Sequence, residues 1–219
     1  MAQADTMSDP CTYAEAMARP DTTEWELACN EERRAFECMG VYKVVPRPNG
    51  RKVVGSKWVF CIKRRPDGSI QKYKARIVTQ GFSQVEGIDY DETFAPVAKF
   101  ASLRTILALA AKLDLEVHQM DVKSAYLNAE LKEEIFMEPP PSLNVPEGMV
   151  LQLEKVVYGT KQGGRVWYED IKEKLEAMGY QCTKADHAVF IHAKDGTFSV
   201  IALYVDDITM ASKNLETIN

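Results

Sequence analysis

Asp206 and Asp207 stand side by side in Tyr204-Val205-Asp206-Asp207, between the apolar runs Val200–Val205 and Ile208–Ala211. The pattern predicts a carboxylate pair at the tip of a hydrophobic β-hairpin. A third acid, Asp121, closes the strand-like run Leu115–Asp121. Three carboxylates brought together repel one another, so at neutral pH such a cluster calls for a divalent cation. Aspartates without a histidine or cysteine ligand set suit a hard ion such as Mg²⁺. Mg²⁺ held by aspartates beside a phosphate substrate is the two-metal apparatus of nucleotidyl transfer. Taken alone, Asp206-Asp207 fits an ordinary acidic turn equally well, and Asp121 fits a capping acid at a strand end.

The elements that must position these acids can be read from periodicity. Trp25, Ala28, Glu32, Phe36 and Met39 fall at helical spacing before Gly40, which predicts a helix over 23–39 with a glycine C-cap. The runs Lys57–Arg65 and Ile70–Val78 alternate around Pro66-Asp67-Gly68-Ser69, a β-hairpin. The polar stretch from Thr79 to Phe100 reads as a loop broken by Gly81, Gly87 and Pro96. Ser102 is a candidate cap for a helix running to about Leu113. Short strands are expected at Phe136-Met137, Met149–Val157, Ala188–His192 and Thr197–Val205, with a turn at Asp195-Gly196. A helix is expected over Arg165–Met178. Helices and strands do not alternate as βαβ units, so the fold class is α+β.

Composition narrows the function. Of 219 residues 46% are hydrophobic, enough for a core. No uncharged apolar stretch approaches the ~20 residues of a membrane helix. The first residues carry acids and no basic region, so a secretory signal is not supported. Five unpatterned cysteines read as free thiols, and three histidines without HExxH spacing argue against zinc. The net charge of −5 hides an asymmetry: Lys43–Arg76 holds eleven Lys and Arg against one acid, Asp67. Such a run is either a solvated lysine-rich hairpin or a face for nucleic acid.

Four blocks then carry a resemblance. Gly55–Val97, His118–Pro140, Val157–Ile171 and Leu203–Ile208 occur in order and at spacing that resemble the reverse transcriptase region of copia-type LTR retrotransposon Pol polyproteins. The likeness runs from about Asp9 to the end. It implies a right-hand polymerase: an antiparallel palm sheet with helices on one face, fingers mainly over 41–100, and palm mainly over 101–219. A lead of 1–22 precedes the module at 23–219, and the thumb is absent, as in a C-terminally truncated chain. The implied activity is RNA-directed DNA polymerisation. Its implied partners are an RNA or DNA template with primer, dNTPs, and the remainder of a Pol polyprotein (thumb, RNase H, integrase). It further implies an intracellular setting, in a cytoplasmic virus-like particle with access to the nucleus, and DNA integration downstream. The alternative is a remnant that binds nucleic acid without turnover. An unrelated Mg²⁺ phosphatase would leave Tyr126 and Gln162 unexplained.

The resemblance also assigns roles. Asp121, Asp206 and Asp207, with the Val122 carbonyl, would hold two Mg²⁺ ions, for which Mn²⁺ can substitute. Tyr126 would sit beneath the incoming sugar and exclude a 2′-hydroxyl. Arg76, Lys74 and Lys63 would take the triphosphate, and Gln162 would lie near the sugar and template base. The chain departs from the family at Thr160 and at Gly163-Gly164, where Leu and Ala-Pro are usual; two glycines are expected to loosen the helix entry. Trp167, Tyr168 and His118 are expected to be structural.

Overall fold

The computed structural model describes residues 8–194 and 197–213. The turn expected at Asp195-Gly196 lies outside them. In chain order the elements are α1 (Tyr13–Ala18), α2 (Thr22–Cys38), β1 (Tyr42–Pro46), β2 (Val53–Val54), β3 (Ser56–Arg64), β4 (Ile70–Thr79), α3 (Phe100–Leu113), β5 (Glu116–Asp121), α4 (Ala125–Asn128), β6 (Glu130–Met137), β7 (Met149–Lys155), α5 (Gly163–Ala177), β8 (Gln181–Cys182), β9 (Val189–Lys194), β10 (Thr197–Tyr204) and β11 (Asp207–Ser212). The α+β class holds. One compact unit is Met1–Asp91 with Tyr126–Gly163, and the other is Glu92–Ala125 with Gly164–Asn219. The segment Tyr126–Gly163 thus packs with the first unit.

In the first unit β1, β7, β6 and β2 form one sheet, and β3 pairs with β4 in a separate hairpin. The hairpin alternates as its sequence demands. Trp58, Phe60 and Ile62 of β3 and Ala75 and Ile77 of β4 are buried. They pack with Trp25, Ala28, Cys29 and Phe36 of α2. The Trp25 ring meets Phe60 and Tyr73 edge-on, at 5.1 and 4.7 Å between centroids. Each such pair adds about 0.5–1.5 kcal/mol to the area it buries. Within the lead, the described residues from Ser8 onward make defined contacts. Thr12 Oγ1 accepts from the Glu15 N–H, which starts α1, and Asp9 Oδ1 accepts from the Ile62 N–H, which fastens the lead to β3.

In the second unit β5, β11, β10, β9 and β8 lie in that order, every neighbour antiparallel. Ile201 and Leu203 of β10 pack with Leu175 of α5, whereas Val200 and Ala202 pack with Ile106 and Ala110 of α3. The helices thus cover opposite faces, not the single face expected. The reason is the uninterrupted apolar run of β10: both sides of the strand are hydrophobic, so both must be covered. The cap expected at Ser102 is also different. The N-cap of α3 is Lys99, whose N–H donates to Asp186 Oδ2 at 2.8 Å. The Ser102 hydroxyl donates to the same oxygen at 2.6 Å, and the Ala188 N–H donates to Oδ1. Burial acts to raise the Asp186 pKa, but these hydrogen bonds and Lys99 bring it below the usual carboxylate range.

Candidate functional site

The acidic hairpin belongs to the second unit. Tyr204 pairs with Asp207, so only Val205 and Asp206 join β10 to β11. A loop that short needs left-handed backbone to match the strand twist. Val205 supplies it at φ 58°, a region that a β-branched residue enters only with strain. Two hydrogen bonds hold the turn. Trp167 Nε1, on an indole 4% exposed, donates to the Val205 carbonyl at 2.8 Å, and the Val122 N–H donates to the Asp206 carbonyl at 2.9 Å.

The β5–β11 register sets Asp121 directly opposite Asp207. Asp206 occupies the adjoining turn, and Val122 is tied to that turn by its N–H. The residues expected to bind metal are therefore neighbours in the backbone. Like charges directly opposite in a ladder destabilise it, and a cation would relieve the repulsion. The donor set is all oxygen, and Asp121 is exposed while Asp206 and Asp207 are half-buried, so solvent ions can reach them. The carboxylates themselves are not gathered: among the described residues no three His, Cys, Asp or Glu side chains form a metal-holding group. Asp207 Oδ1 instead accepts from Gln119 Nε2 at 3.5 Å. Donor chemistry and backbone fit a divalent cation; the side-chain rotamers do not form its cage.

The expected phosphate-binding cations lie in the first unit. Strand alternation puts Lys57 and Lys63 of β3 on the same face as Lys72, Lys74 and Arg76 of β4, with Cys61 opposite Lys74 and Lys63 opposite Lys72. Lys72 is engaged by Glu31 of α2 at 2.8 Å. Beside it, Glu32 Oε1 accepts from the Ile77 N–H of β4 at 3.2 Å. Burial pushes the Glu32 carboxyl up to about 7, against the opposing pull of the Ile77 hydrogen bond and the charges of Arg76 and Lys74. The Arg76 guanidinium lies over the Tyr158 ring, 4.8 Å from its centroid. Tyr158 in turn meets Tyr126 edge-on, with centroids 4.8 Å apart and planes at 81°. Two residues expected at the nucleotide, Arg76 and Tyr126, thus share one aromatic partner.

Gln162 is only 1% exposed. Its Oε1 accepts from Gln84 Nε2 at 3.1 Å and its Nε2 donates to the Asp89 carbonyl at 3.0 Å. Gln84 Oε1 also accepts from the Lys161 N–H at 2.7 Å. The amide expected to face a nucleotide is used at both ends to pin the 84–89 segment. The unusual residues after it explain one another. A Cβ at Gly163 would lie 2.6 Å from Thr160 Oγ1, which donates to the Val157 carbonyl at 2.8 Å. Thr160 Oγ1, with Val156 Cγ1 at 3.0 Å, thus occupies the space that a side chain at Gly163 would need.

Sequence reasoning missed Tyr158, Glu32 and Asp186, and treated Trp167 only as packing. For Trp167 the signal was available: a tryptophan that is buried must place its N–H on an acceptor. For the others the partners are remote in sequence, and no local pattern marks them.

The sequence pattern of the family described as reverse transcriptase (RNA-dependent DNA polymerase) matches residues 39–219. A retrovirus-related Pol polyprotein from transposon TNT 1-94 of Nicotiana tabacum is 40% identical over 209 residues, 94% of this chain and 16% of that protein. A retrovirus-related Pol polyprotein from transposon RE2 of Arabidopsis thaliana is 33% identical over 94% of this chain and 14% of its own length. The chain thus spans about one-sixth of these relatives. Among solved structures, a foamy viral protease–reverse transcriptase in complex with double-stranded DNA matches 88% of this chain and 27% of its own, with 10% identity and a TM-score of 0.39.

Proposed function

The chain belongs to the reverse transcriptase (RNA-dependent DNA polymerase) family, and from that premise we propose that it transfers dNTPs onto a primer 3′-hydroxyl. It would do so on an RNA or DNA template, as the polymerase module of a copia-type retrotransposon Pol polyprotein. The observation that carries this reading is the register that pairs Asp121 with Asp207 and leaves Asp206 in the adjoining turn.

Asp121, Asp206 and Asp207, with the Val122 carbonyl, would hold two Mg²⁺ (or Mn²⁺), which when bound supply an activated 3′-hydroxyl and charge neutralisation on the triphosphate. The remaining roles fall to the chain itself. Arg76 offers a planar, permanently charged fork to phosphate oxygens, and Lys74 and Lys63 add point charges on the same hairpin face. Tyr126 excludes a 2′-hydroxyl by bulk. Gln162, with its amide engaged inside the first unit, contributes by fixing the 84–89 segment.

The alternative, binding without turnover, draws on the ungathered carboxylates and on the engaged Gln162 amide. One experiment separates the two. Primer extension on an RNA template with Mg²⁺ is measured for this chain and for one extended through downstream Pol sequence. Incorporation that Asp121→Asn or Asp206→Asn reduces at least ~10²-fold supports the polymerase reading. Folded protein that binds primer–template in either length but incorporates nothing favours the alternative.

A further inference from the structure

Tyr158 has no role in the reading above, yet its ring joins the two residues that reading assigns to the nucleotide. We infer that Tyr158 is a positioning residue, which holds the Arg76 guanidinium and the Tyr126 ring in fixed relation so that triphosphate capture and sugar discrimination are coupled. The inference rests on the proposed polymerase function.

The Arg76 guanidinium stands 4.8 Å from the Tyr158 ring centre, within the range where a ring face attracts a cation. The Tyr126 pair is edge-to-face, the arrangement that aromatic quadrupoles favour. A single rigid ring therefore fixes a long flexible cation on one side and a bulky aromatic on the other. Backbone tethers fix that ring in turn. The Thr79 N–H donates to the Tyr158 carbonyl at 2.7 Å, which ties Tyr158 to β4 three residues beyond Arg76. The Val156 N–H donates to the Ala129 carbonyl at 2.9 Å, and the Ala129 N–H to the Tyr126 carbonyl at 3.1 Å, which tie the same segment to Tyr126.

Gly159 makes the first tether possible. At φ +90° its missing Cβ would stand 2.2 Å from the Thr79 carbonyl oxygen. A Cβ at Gly81 would lie 2.0 Å from the Gly159 oxygen. Two glycines thus let two backbone segments, 79–81 and 158–159, close on one point, and Tyr158 projects from it. An arginine ordered before substrate arrives loses less rotamer freedom on binding phosphate. A ring held by its neighbour discriminates against the 2′-hydroxyl more sharply than one free to swing.

Single-nucleotide incorporation by the full chain, across dNTP and rNTP concentration, tests this with Tyr158→Leu, Tyr158→Phe and Arg76→Gln. Tyr158→Leu is expected to raise the dNTP KM about tenfold, the scale of one cation–π interaction, with kcat within about twofold. Selection of dNTP over rNTP should fall roughly three- to tenfold, the scale of one aromatic pair. Tyr158→Phe, which keeps the ring, should restore both. In the Arg76→Gln background Tyr158→Leu should add little to KM but still relax discrimination.

Tyr158→Leu that leaves KM and discrimination unchanged overturns the inference, as does Tyr158→Phe behaving like Tyr158→Leu. The Arg76 Nε–Hε resonance of ¹⁵N-labelled chain gives a readout without turnover. It should move downfield in Tyr158→Leu as the ring current is removed, and an unmoved resonance overturns the positioning. A folded wild type that incorporates nothing overturns the polymerase reading instead, and the resonance then decides the positioning by itself.

Discussion

Val205 occupies a left-handed conformation that costs an ordinary L-residue about 1–2 kcal/mol. The strain survives because Trp167 and Val122 hold the turn by their N–H groups. Asparagine tolerates this conformation, so Val205→Asn is expected to raise the thermal midpoint. Trp167→Phe keeps most of the buried ring but strands the Val205 carbonyl, and is expected to lower stability by about 1–2 kcal/mol. If both variants unfold with the wild type, the turn is neither strained nor tethered as described. Glu32 makes a separate, pH-dependent contribution. Its folded pKa of about 7 exceeds the ordinary 4.5, so between those values the folded state holds the extra proton. Its contribution therefore destabilises as pH rises through this window and is fully unfavourable above about 7. The ceiling is about 3 kcal/mol, reduced by solvent screening at this half-buried site. Glu32→Gln keeps the acceptor for the Ile77 N–H, and is expected to stabilise the protein at pH 8 and to be near neutral at pH 5. Equal effects in denaturant titrations at the two pH values would refute the assignment.

At the scale of elements, what the sequence makes legible is what repeats locally. The alternation of β3 and β4 predicts which cations share a face, and the acids at the ends of two strand-like runs predict a meeting point; the register sets the backbones of Asp121 and Asp207 opposite one another without gathering three carboxylates. The apolar run of β10 is equally readable as a strand covered on both sides, a signal that the single-faced expectation overlooks. Long-range partners leave no local trace. The α3 cap comes from Asp186, far along the chain, so the nearer Ser102 looks sufficient in sequence. The helix entry at Gly163 looks loose because nothing local shows that Thr160 Oγ1 fills the space beneath it. That filling can be measured. In a double-mutant cycle, Gly163→Ala is expected to be costly with Thr160 present. In Thr160→Ala it should cost less, the remaining close contact being Val156 Cγ1 at 3.0 Å. Additive effects would show that the two departures from the family are independent.

For the whole molecule, the opposed charges have a measurable signature. The net charge is −5, yet the β3–β4 face carries Lys57, Lys63, Lys72, Lys74 and Arg76. On the proposed polymerase reading, primer–template affinity should fall steeply with salt. Lys63→Gln with Lys74→Gln should reduce the log–log slope by about 0.9 for each phosphate that is no longer neutralised. A slope unchanged by both substitutions would leave those lysines to solvent alone.

The crossings of the chain between its compact units, at 91/92, 125/126 and 163/164, bear on how the protein comes into being. Strand β1 near residue 42 cannot pair until β7, more than a hundred positions later, has emerged from the ribosome. Until then β1 has no described strand to pair with, whereas the β3–β4 hairpin can already pack on α2. A cut near residue 100 would separate 1–91 from Tyr126–Gly163, the segment of the same unit that carries β6 and β7. A splice of 1–91 to 126–163 is the expression design that keeps the two segments of the first unit together.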